Sequence, residues 1–205
     1  MWVKICGTTN LGDALTSVEA GADALGFIFV PSSRRAVSRN EVVRILAGLP
    51  PTVLTVGVVA DEDPHFLTDL LRVCPLGALQ FHGKEPPEEV LRFRGKVKLI
   101  KTIHVKGAGS LREIPAYRGV DAILLDTHQA GRLGGTGVPF DWNLAVEAKS
   151  HGIPIIVAGG LTPANVGEMK RQVEPYGVDV ASGVELSPGK KDPALIQAFL
   201  QQART

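Results

Sequence analysis

The feature that most constrains this chain is a regular alternation of short apolar segments with amphipathic segments, repeated eight times along 205 residues. The apolar segments have the length of strands, whereas the amphipathic ones carry apolar residues at helical spacing. This alternation is typical of a parallel sheet whose strands are joined by helical crossovers. The predicted strands are a first one ending at Cys6, then Ala24–Phe29, Thr52–Val59, Ala78–Phe81, Val97–Ile103, Ala122–Leu125, Ile155–Ala158 and Val178–Ala181.

Capping residues indicate where the predicted helices begin. Thr9 or Asn10 caps the first helix, and Ser38 forms a capping box with Glu41 for the second. The other helices are predicted at Pro64–Val73, Pro86–Phe93, Ser110–Tyr117, Trp142–Ser150, Pro163–Val173 and Asp192–Ala203. Eight strand and helix pairs predict a closed (β/α)8 TIM barrel, a fold that needs about 200 residues or more. We therefore expect a single α/β catalytic domain over residues 1–205, with no room for a second.

Composition excludes several classes of protein. The chain has 22 basic and 21 acidic residues, and without a clustered basic surface we expect no nucleic-acid partner. No apolar run approaches the ~20 residues of a membrane span and no leader precedes the first strand, so we expect no membrane association. Cys6 and Cys74 match neither disulfide nor zinc spacing, which predicts a cytoplasmic protein without a metal ion. The apolar Pro50, Pro51 and Phe66 are compatible with a homodimer.

Three polar residues follow predicted strands and are candidates for catalysis. The carboxyl ends of all strands of a TIM barrel form one face, where the active site lies. Cys6 ends the first strand, His82 follows the fourth and Asp126 follows the sixth. A carboxylate directly after an apolar strand is costly unless it is used or paired. The alternatives are that Cys6 is a small buried hydrophobe, Asp126 a turn former and His82 a polar plug at the rim.

Two glycine-containing loops, after strands seven and eight, predict a phosphate site. Gly159-Gly160 and Ser182-Gly183 lack bulky side chains, so backbone amides can approach an anion, and a nearby helix start adds a favourable dipole. Phosphate-binding TIM barrels use these two loops. The same glycines could instead only form tight turns. The glycine-rich loop 131–137 lacks the context of a nucleotide site, and we expect it to cover the ligand or to be a plain connector.

Lys4 lies two residues before Cys6 and therefore shares its strand face. If Cys6 points into the barrel, so does the Lys4 ammonium, and an unpaired charge is expensive there. Strands one and eight are neighbours in a closed barrel, and Asp179 lies in strand eight. We expect Lys4 and Asp179 to pair inside the barrel, and we expect the Lys4 cation to lower the pKa of Cys6.

Several motifs, taken together and in order, resemble the phosphoribosylanthranilate isomerase family of tryptophan biosynthesis. They are VKICG with TN, ADALGFIF with a Ser-rich, Arg-bearing loop, QFHG, LLDT, GGTG before FDW, AGGL, and DVASGVE with PGKKD. The match covers almost the whole chain. It implies an Amadori rearrangement of a small phosphosugar-anthranilate substrate, N-(5-phosphoribosyl)anthranilate, to 1-(2-carboxyphenylamino)-1-deoxyribulose 5-phosphate. The family works on a (β/α)8 barrel without metal or cofactor.

The resemblance also implies roles for single residues. It places the general base on Cys6 and the general acid on Asp126, and it assigns the anthranilate carboxylate to Arg35, whose planar guanidinium suits such an anion. The remaining substrate-binding candidates are His82, Gly159, Gly160, Ser182 and Gly183. Two positions that are often aromatic in relatives are Val30 and Ala36 here. The chemistry adds a requirement of its own, because Asp126 can open the sugar ring only if it is protonated when substrate binds, so its pKa must be raised.

Two other functions are weighed against this one. The analogous isomerase of histidine biosynthesis would be expected to place a carboxylate at the end of strand one, where this chain has Cys6. A non-catalytic barrel that binds phosphosugars would need the phosphate loops alone. The joint presence of Cys6 and Asp126 argues against such a binding protein.

Overall fold

The computed structural model of the protein describes residues 1–127 and 141–205. Eight parallel strands close into a barrel in the order β1 to β8, with β8 pairing back to β1. The predicted (β/α)8 TIM barrel is therefore confirmed. The barrel strands are β1 (Trp2–Cys6), β2 (Ala24–Ile28), β3 (Leu54–Val59), β4 (Ala78–Phe81), β5 (Lys98–Val105), β6 (Ala122–Thr127), β7 (Ile155–Val157) and β8 (Gly177–Val180).

Helices connect most of the strands on the outside of the barrel. They are α1 (Leu11–Glu19), α2 (Arg39–Leu46), α3 (Pro64–Val73), α4 (Pro87–Leu91), α5 (Asn143–Ala148), α6 (Val166–Val173) and α7 (Pro193–Arg204). Between β5 and β6 the predicted short helix is instead a 3-10 helix, Ala108–Tyr117, with Pro115 inside it. Proline has no amide hydrogen and crowds the preceding turn, which disfavours an α-helix there. Further 3-10 turns are Lys149–His151 and Ser182–Val184.

Two predicted caps begin helices on the face that carries the candidate site. The Asn10 side chain accepts a hydrogen bond from the Asp13 amide at 2.8 Å. The capping box of Ser38 and Glu41 is complete, with both reciprocal contacts present. Each satisfies amides that the first turn of a helix leaves unpaired, and thereby fixes where the preceding loop ends. The loop 131–137 lies outside the described residues.

Buried side chains form two layers. Larger residues on the outer face of the strands pack against the helices. The inward-facing layer consists mainly of small and aliphatic residues: Ala24, Val56, Ala78, Ile100, Ala122, Leu124, Ile156 and Ala158. Because side chains alternate along a strand, the strands β2 to β7 contribute to both layers. The small residues in the barrel interior leave room for the long side chain of Lys4, which is fully buried.

Three differences from the sequence prediction bear on the site. β6 extends two residues further than predicted, so Asp126 lies within the strand rather than after it. β8 ends at Val180, one residue early. The sequence analysis also missed a short antiparallel hairpin that follows β8, formed by β9 (Glu185–Ser187) and β10 (Lys190–Lys191). In the described part of the chain, no helix combines the length and the apolar character that crossing a membrane requires.

Candidate active site

One cavity at the carboxyl ends of the strands collects most of the candidate residues. Those that line it are Cys6, Arg35, His82, Asp126, Gly159, Gly160 and Ser182. They come from six different strands or strand-end loops, as expected for the catalytic face of a barrel. Gly183 is not among the lining residues. It lies at the contact between the loops after β7 and β8. A Cβ added at this position would overlap the carbonyl oxygen of Leu161.

Cys6 and Lys4 point from β1 into the barrel, and the predicted partner of Lys4 is confirmed. Lys4 Nζ lies 2.9 Å from Asp179 Oδ2, and the Lys4 side chain is fully buried. The two residues are direct neighbours in the β1–β8 register. Burial alone would lower the pKa of Lys4, but the Asp179 carboxylate and, secondarily, Cys6 together outweigh burial, and the pKa is raised. Lys4 therefore stays charged one layer below the thiol.

Gly26 provides the space that these two side chains occupy. It is the register partner of Cys6 on β2. A Cβ at Gly26 would lie 2.7 Å from the Cys6 sulfur and 2.9 Å from Lys4 Cε. Such distances are shorter than any packed contact allows, so only glycine fits here without displacing Cys6.

The expectation that Lys4 lowers the pKa of Cys6 is wrong in its net result. Burial of the thiol raises its pKa, and the Lys4 cation offsets only part of that shift. Asp179 adds to the increase, whereas the Lys191 ammonium opposes it. The prediction considered only the effect of the Lys4 cation on the pKa. It left out the loss of water around Cys6, which is only 6% exposed. In the substrate-free protein Cys6 is therefore a thiol at neutral pH.

Asp126 is held in its protonated form up to near-neutral pH. Burial and, secondarily, the negative charge of Asp179 raise the pKa of Asp126 to about 7. The amide of Thr127 donates to Asp126 Oδ1 at 2.8 Å and opposes this shift. Gly159 lies directly beside the carboxyl group, since a Cβ there would be 2.7 Å from Oδ1. A carboxyl group with this pKa can donate a proton at pH 7.

His82 lies next to Asp126 but does not form an ion pair with it. Its Nε2 is 3.6 Å from Asp126 Oδ2, and its Nδ1 is 3.1 Å from the hydroxyl of Thr102. Burial, assisted by the neighbouring His104, lowers the pKa of His82 to about 3. A neutral imidazole beside a protonated carboxyl group has no charge to pair, so His82 faces the cavity as a neutral polar group.

Arg35 lies over the first loop and is held by a residue that the sequence analysis did not predict. Its Nε is 2.8 and 3.0 Å from the two carboxylate oxygens of Glu185, and its Nη2 is 2.6 Å from Oε2. The aliphatic part of Arg35 packs onto Gly7, where a Cβ would lie 2.5 Å from Arg35 Cδ. Gly7 has a φ of +73°, so both its conformation and its contact favour glycine.

The two predicted phosphate loops lie side by side. Gly159 and Gly160 have φ of +80° and +69°, in the left-handed region. Ser182 begins a single 3-10 turn rather than a helix, so the favourable dipole expected there is small. Gly159 and Gly160 line the cavity without a side chain, so the backbone of this loop borders the cavity directly.

Comparison with known proteins reveals the family. The profile described as "PRAI: N-(5'phosphoribosyl)anthranilate (PRA) isomerase" matches residues 3–202. The N-(5'-phosphoribosyl)anthranilate isomerase of Geobacter sulfurreducens is 48% identical over 202 residues, covering 98% of each chain. The chain belongs to this family.

Solved structures of the phosphoribosylanthranilate isomerase family agree with the fold. The Thermotoga maritima enzyme has a TM-score of 0.94 and 41% identity, over 100% of this chain and 98% of that one. A second structure, in complex with reduced 1-(o-carboxyphenylamino)-1-deoxyribulose 5-phosphate, has a TM-score of 0.90 and 40% identity, with the same coverage. A third, of monomers generated from the dimeric Thermotoga maritima enzyme, has a TM-score of 0.90 and 39% identity, also over 100% and 98%.

Sequence reasoning missed three residues of this family member's site. Glu185 and Lys191 belong to the DVASGVE and PGKKD motifs, and both motifs were recognised without a role for these side chains. Gln80 borders the cavity and is almost fully buried. A glutamine within an otherwise apolar strand is a polar residue in a costly place, and that signal could have identified it.

One group in the described residues could approach a metal ion. Ligand atoms of His82, His104 and Asp126 lie within 4.8 Å of one another. However, His104 Nε2 already lies 2.8 Å from the His82 carbonyl oxygen, and the Asp126 carboxyl is protonated below about pH 7. A metal ligand needs a deprotonated carboxylate and a free ring nitrogen.

Proposed function

We propose that this chain is the isomerase that converts N-(5'-phosphoribosyl)anthranilate into 1-(2-carboxyphenylamino)-1-deoxyribulose 5-phosphate in tryptophan biosynthesis. The observation that carries the proposal is the pairing of Asp126, with a pKa of about 7, and the Cys6 thiol in one cavity of a family member. An Amadori rearrangement needs one acid and one base that act on the same sugar. Groups with opposed protonation requirements at one site are typical of such catalysis.

Asp126 is proposed as the general acid of ring opening. Its carboxyl proton passes to the furanose oxygen while the anilino nitrogen forms a double bond to C1, and the bond from C1 to the ring oxygen breaks. The products of this step are a protonated Schiff base and a free hydroxyl at C4, with Asp126 left as a carboxylate. Burial and the charge of Asp179 support this role, because they keep the proton on Asp126 near neutral pH.

Cys6 is proposed as the general base of the second step. The positive Schiff base acidifies the proton at C2, and the Cys6 thiolate removes it to give an enolamine. The enolamine then tautomerises to the ketone. In this step the enolamine loses the proton of its C2 hydroxyl group and gains a proton at C1. Burial raises the pKa of Cys6 in the free protein, and the Lys4 and Lys191 cations offset part of that increase in favour of the thiolate. The cationic intermediate adds to that effect.

The two anionic ends of the substrate are assigned to opposite sides of the cavity. Arg35 is proposed to bind the anthranilate carboxylate, with Glu185 keeping the guanidinium in place. The phosphate is proposed to bind at Gly159, Gly160, Ser182 and Gly183. His82 is proposed to contact the substrate as a neutral hydrogen-bonding group, since its pKa is about 3.

The experiment that tests the function is the loss of anthranilate fluorescence on turnover. We expect the protein to consume the substrate, and we expect Cys6→Ser and Asp126→Asn each to lose ~10²- to 10⁴-fold in kcat, the usual value of one proton transfer. Both variants should keep the wild-type fold and affinity for the reduced product analogue, because each substitution changes one or two atoms and keeps the size of the side chain. Turnover by either variant at the wild-type rate would contradict its assignment.

We also propose that the protein acts in the cytoplasm and as a homodimer. Both cysteines, Cys6 and Cys74, are free and buried, which suits a reducing compartment. Leu46, Leu49, Pro50, Pro51 and Leu76 line a groove on the amino-terminal side of the barrel, and a solved relative is described as dimeric. Light scattering should give twice the mass of one chain, and a single-chain mass would contradict the dimer.

A further inference from the structure

The β9–β10 hairpin is fastened to the loop and helix that follow the first strand. The Thr9 hydroxyl donates to the Gly189 carbonyl at 2.6 Å. The Lys191 amide donates to Asp13 Oδ2 at 2.8 Å, which joins β10 to α1. The hairpin is therefore fixed beside the segment that carries Cys6, although 180 residues of sequence separate Thr9 from Gly189.

Lys191 extends from this hairpin into the interior, where 2% of its surface remains exposed. Its Nζ donates to the carbonyl of Cys6, to the carbonyl of Ala181 at 3.2 Å, and to Glu185 Oε1 at 3.0 Å. The first two acceptors lie at the ends of β1 and β8. One ammonium thus uses its three donors to join both strand ends to the hairpin, and a buried lysine with all donors satisfied resists movement.

Glu185 connects Lys191 to Arg35. It accepts from Lys191 through Oε1, while both of its oxygens accept from Arg35 Nε. Burial would raise the pKa of Glu185, but Arg35 and Lys191 hold it below the ordinary value. The carboxylate is therefore charged and sits between two cations.

The three side chains together carry one more positive than negative charge at the edge of the cavity. Arg35 lines that cavity, whereas Lys191 lies behind it against the backbone of Cys6. One further anion would balance the net positive charge of these three side chains. A carboxylate of the substrate has the required charge, and its geometry suits a guanidinium group. The same surplus charge lies close enough to Cys6 to favour its thiolate.

We propose that Lys191 and Glu185 are positioning residues for the isomerisation, with Lys191 fixing the end of β1 that carries Cys6 and Glu185 holding Arg35 toward the substrate carboxylate. The inference rests on the proposed function for the role of Arg35. Its claim about Cys6 does not depend on any substrate. Neither residue is a catalytic group, because each acts through another side chain.

The first test measures the thiol directly. The rate of Cys6 alkylation by iodoacetamide is followed against pH in the full-length, substrate-free protein, with peptide mass analysis to separate Cys6 from Cys74. The charged groups that surround the thiol are Lys4 on β1, Asp179 on β8, Lys191 on β10 and Arg35. Lys191→Met removes one cation, so the alkylation midpoint should move up by about one pH unit, a tenfold slower reaction below the midpoint.

The chain offers a matched control in Lys101→Met. Lys101 is also a lysine with 2% exposure, and it donates to the Phe81 and Gly83 carbonyls and to Glu85. It lies on β5, across the barrel from Cys6. Its loss should destabilise the protein comparably and leave the alkylation midpoint of Cys6 unchanged. An equal shift in both variants, or none in Lys191→Met, would overturn the proposal for Lys191.

The second test separates binding from chemistry. Glu185→Gln keeps the size of the side chain but weakens its hold on Arg35, so KM for the substrate should rise about tenfold while kcat changes less than about threefold. An unchanged KM would overturn the role of Glu185. If Lys191→Met does not fold, Lys191→Gln, which removes the charge and keeps a polar side chain, takes its place in the alkylation experiment with the same expected shift. A wild-type protein that consumes no substrate would instead refute the proposed function, and the alkylation result would still stand.

Discussion

The two sides of the active site are built on opposite electrostatic principles. On the side of β1 and β8, full charges are buried in contact with one another, with Lys4 against Asp179 and Glu185 between Arg35 and Lys191. On the side of β4 and β6, the titratable groups that line the cavity are neutral: burial raises the pKa of Asp126 to about 7 and lowers that of His82 to about 3. The proposed base, Cys6, lies on the charged side and the proposed acid, Asp126, on the neutral side.

This difference teaches how one barrel can hold an acid and a base at the same pH. Cations stabilise a thiolate and so increase the fraction of the thiol that is present as the base, whereas burial keeps the Asp126 carboxyl group protonated although Lys4 partly opposes that shift. Burial acts on both, because it disfavours whichever form carries charge. Asp179 connects the two sides, since it neutralises Lys4 and also raises the pKa of Asp126.

Removing the buried cation of the charged side should have the largest effect on stability. Lys4→Met leaves the Asp179 carboxylate buried without its partner, so the free energy of unfolding should fall by about 3–5 kcal/mol. Urea denaturation of the two proteins measures the difference. The double variant Lys4→Met/Asp179→Asn removes both charges and should recover most of the loss. A single variant as stable as the parent would show that the charged side does not depend on this ion pair.

A smaller effect is expected from adding one methyl group beside the thiol. In Gly26→Ala the new Cβ would lie 2.7 Å from the Cys6 sulfur, and overpacking of this kind costs about 1–3 kcal/mol. Because the sulfur must move, kcat should fall together with stability, as the fluorescence assay and urea denaturation would show. In the control Gly109→Ala, the added Cβ meets nothing within 4 Å, and both quantities should stay near wild type. Full activity in Gly26→Ala would show that the position of Cys6 is not critical.

The sequence was sufficient for the barrel because each local signal agreed with the whole fold. Apolar runs and helix caps located the eight strands, and strand alternation together with closure predicted the pairing of Lys4 with Asp179. The short hairpin after β8 escaped prediction, since two strands of three and two residues leave no periodic pattern. Proline in the β5–β6 crossover was the available sign that a 3-10 helix would replace an α-helix there.

The site was less predictable than the fold because it depends on side chains that meet through packing. The raised pKa of Asp126 follows from the required chemistry, and the structure agrees with it. The net shift of Cys6 was predicted with the wrong sign, since burial cannot be weighed against a single charge without coordinates. The contact of Glu185 with Arg35 joins residues 150 positions apart, and nothing in the spacing of these residues indicates it.

The most direct test of the contrast between the two sides is a titration of the Asp126 carboxyl group by carbon-13 NMR in the substrate-free protein. The predicted midpoint is about pH 7, against an ordinary value of 3.8. Because the folded state then holds this proton more tightly than the unfolded state, Asp126 should also make the protein progressively less stable as the pH rises from about 4 to 7. A midpoint close to 3.8 would mean that Asp126 is a carboxylate at neutral pH, and the proposed acid would have no proton to donate.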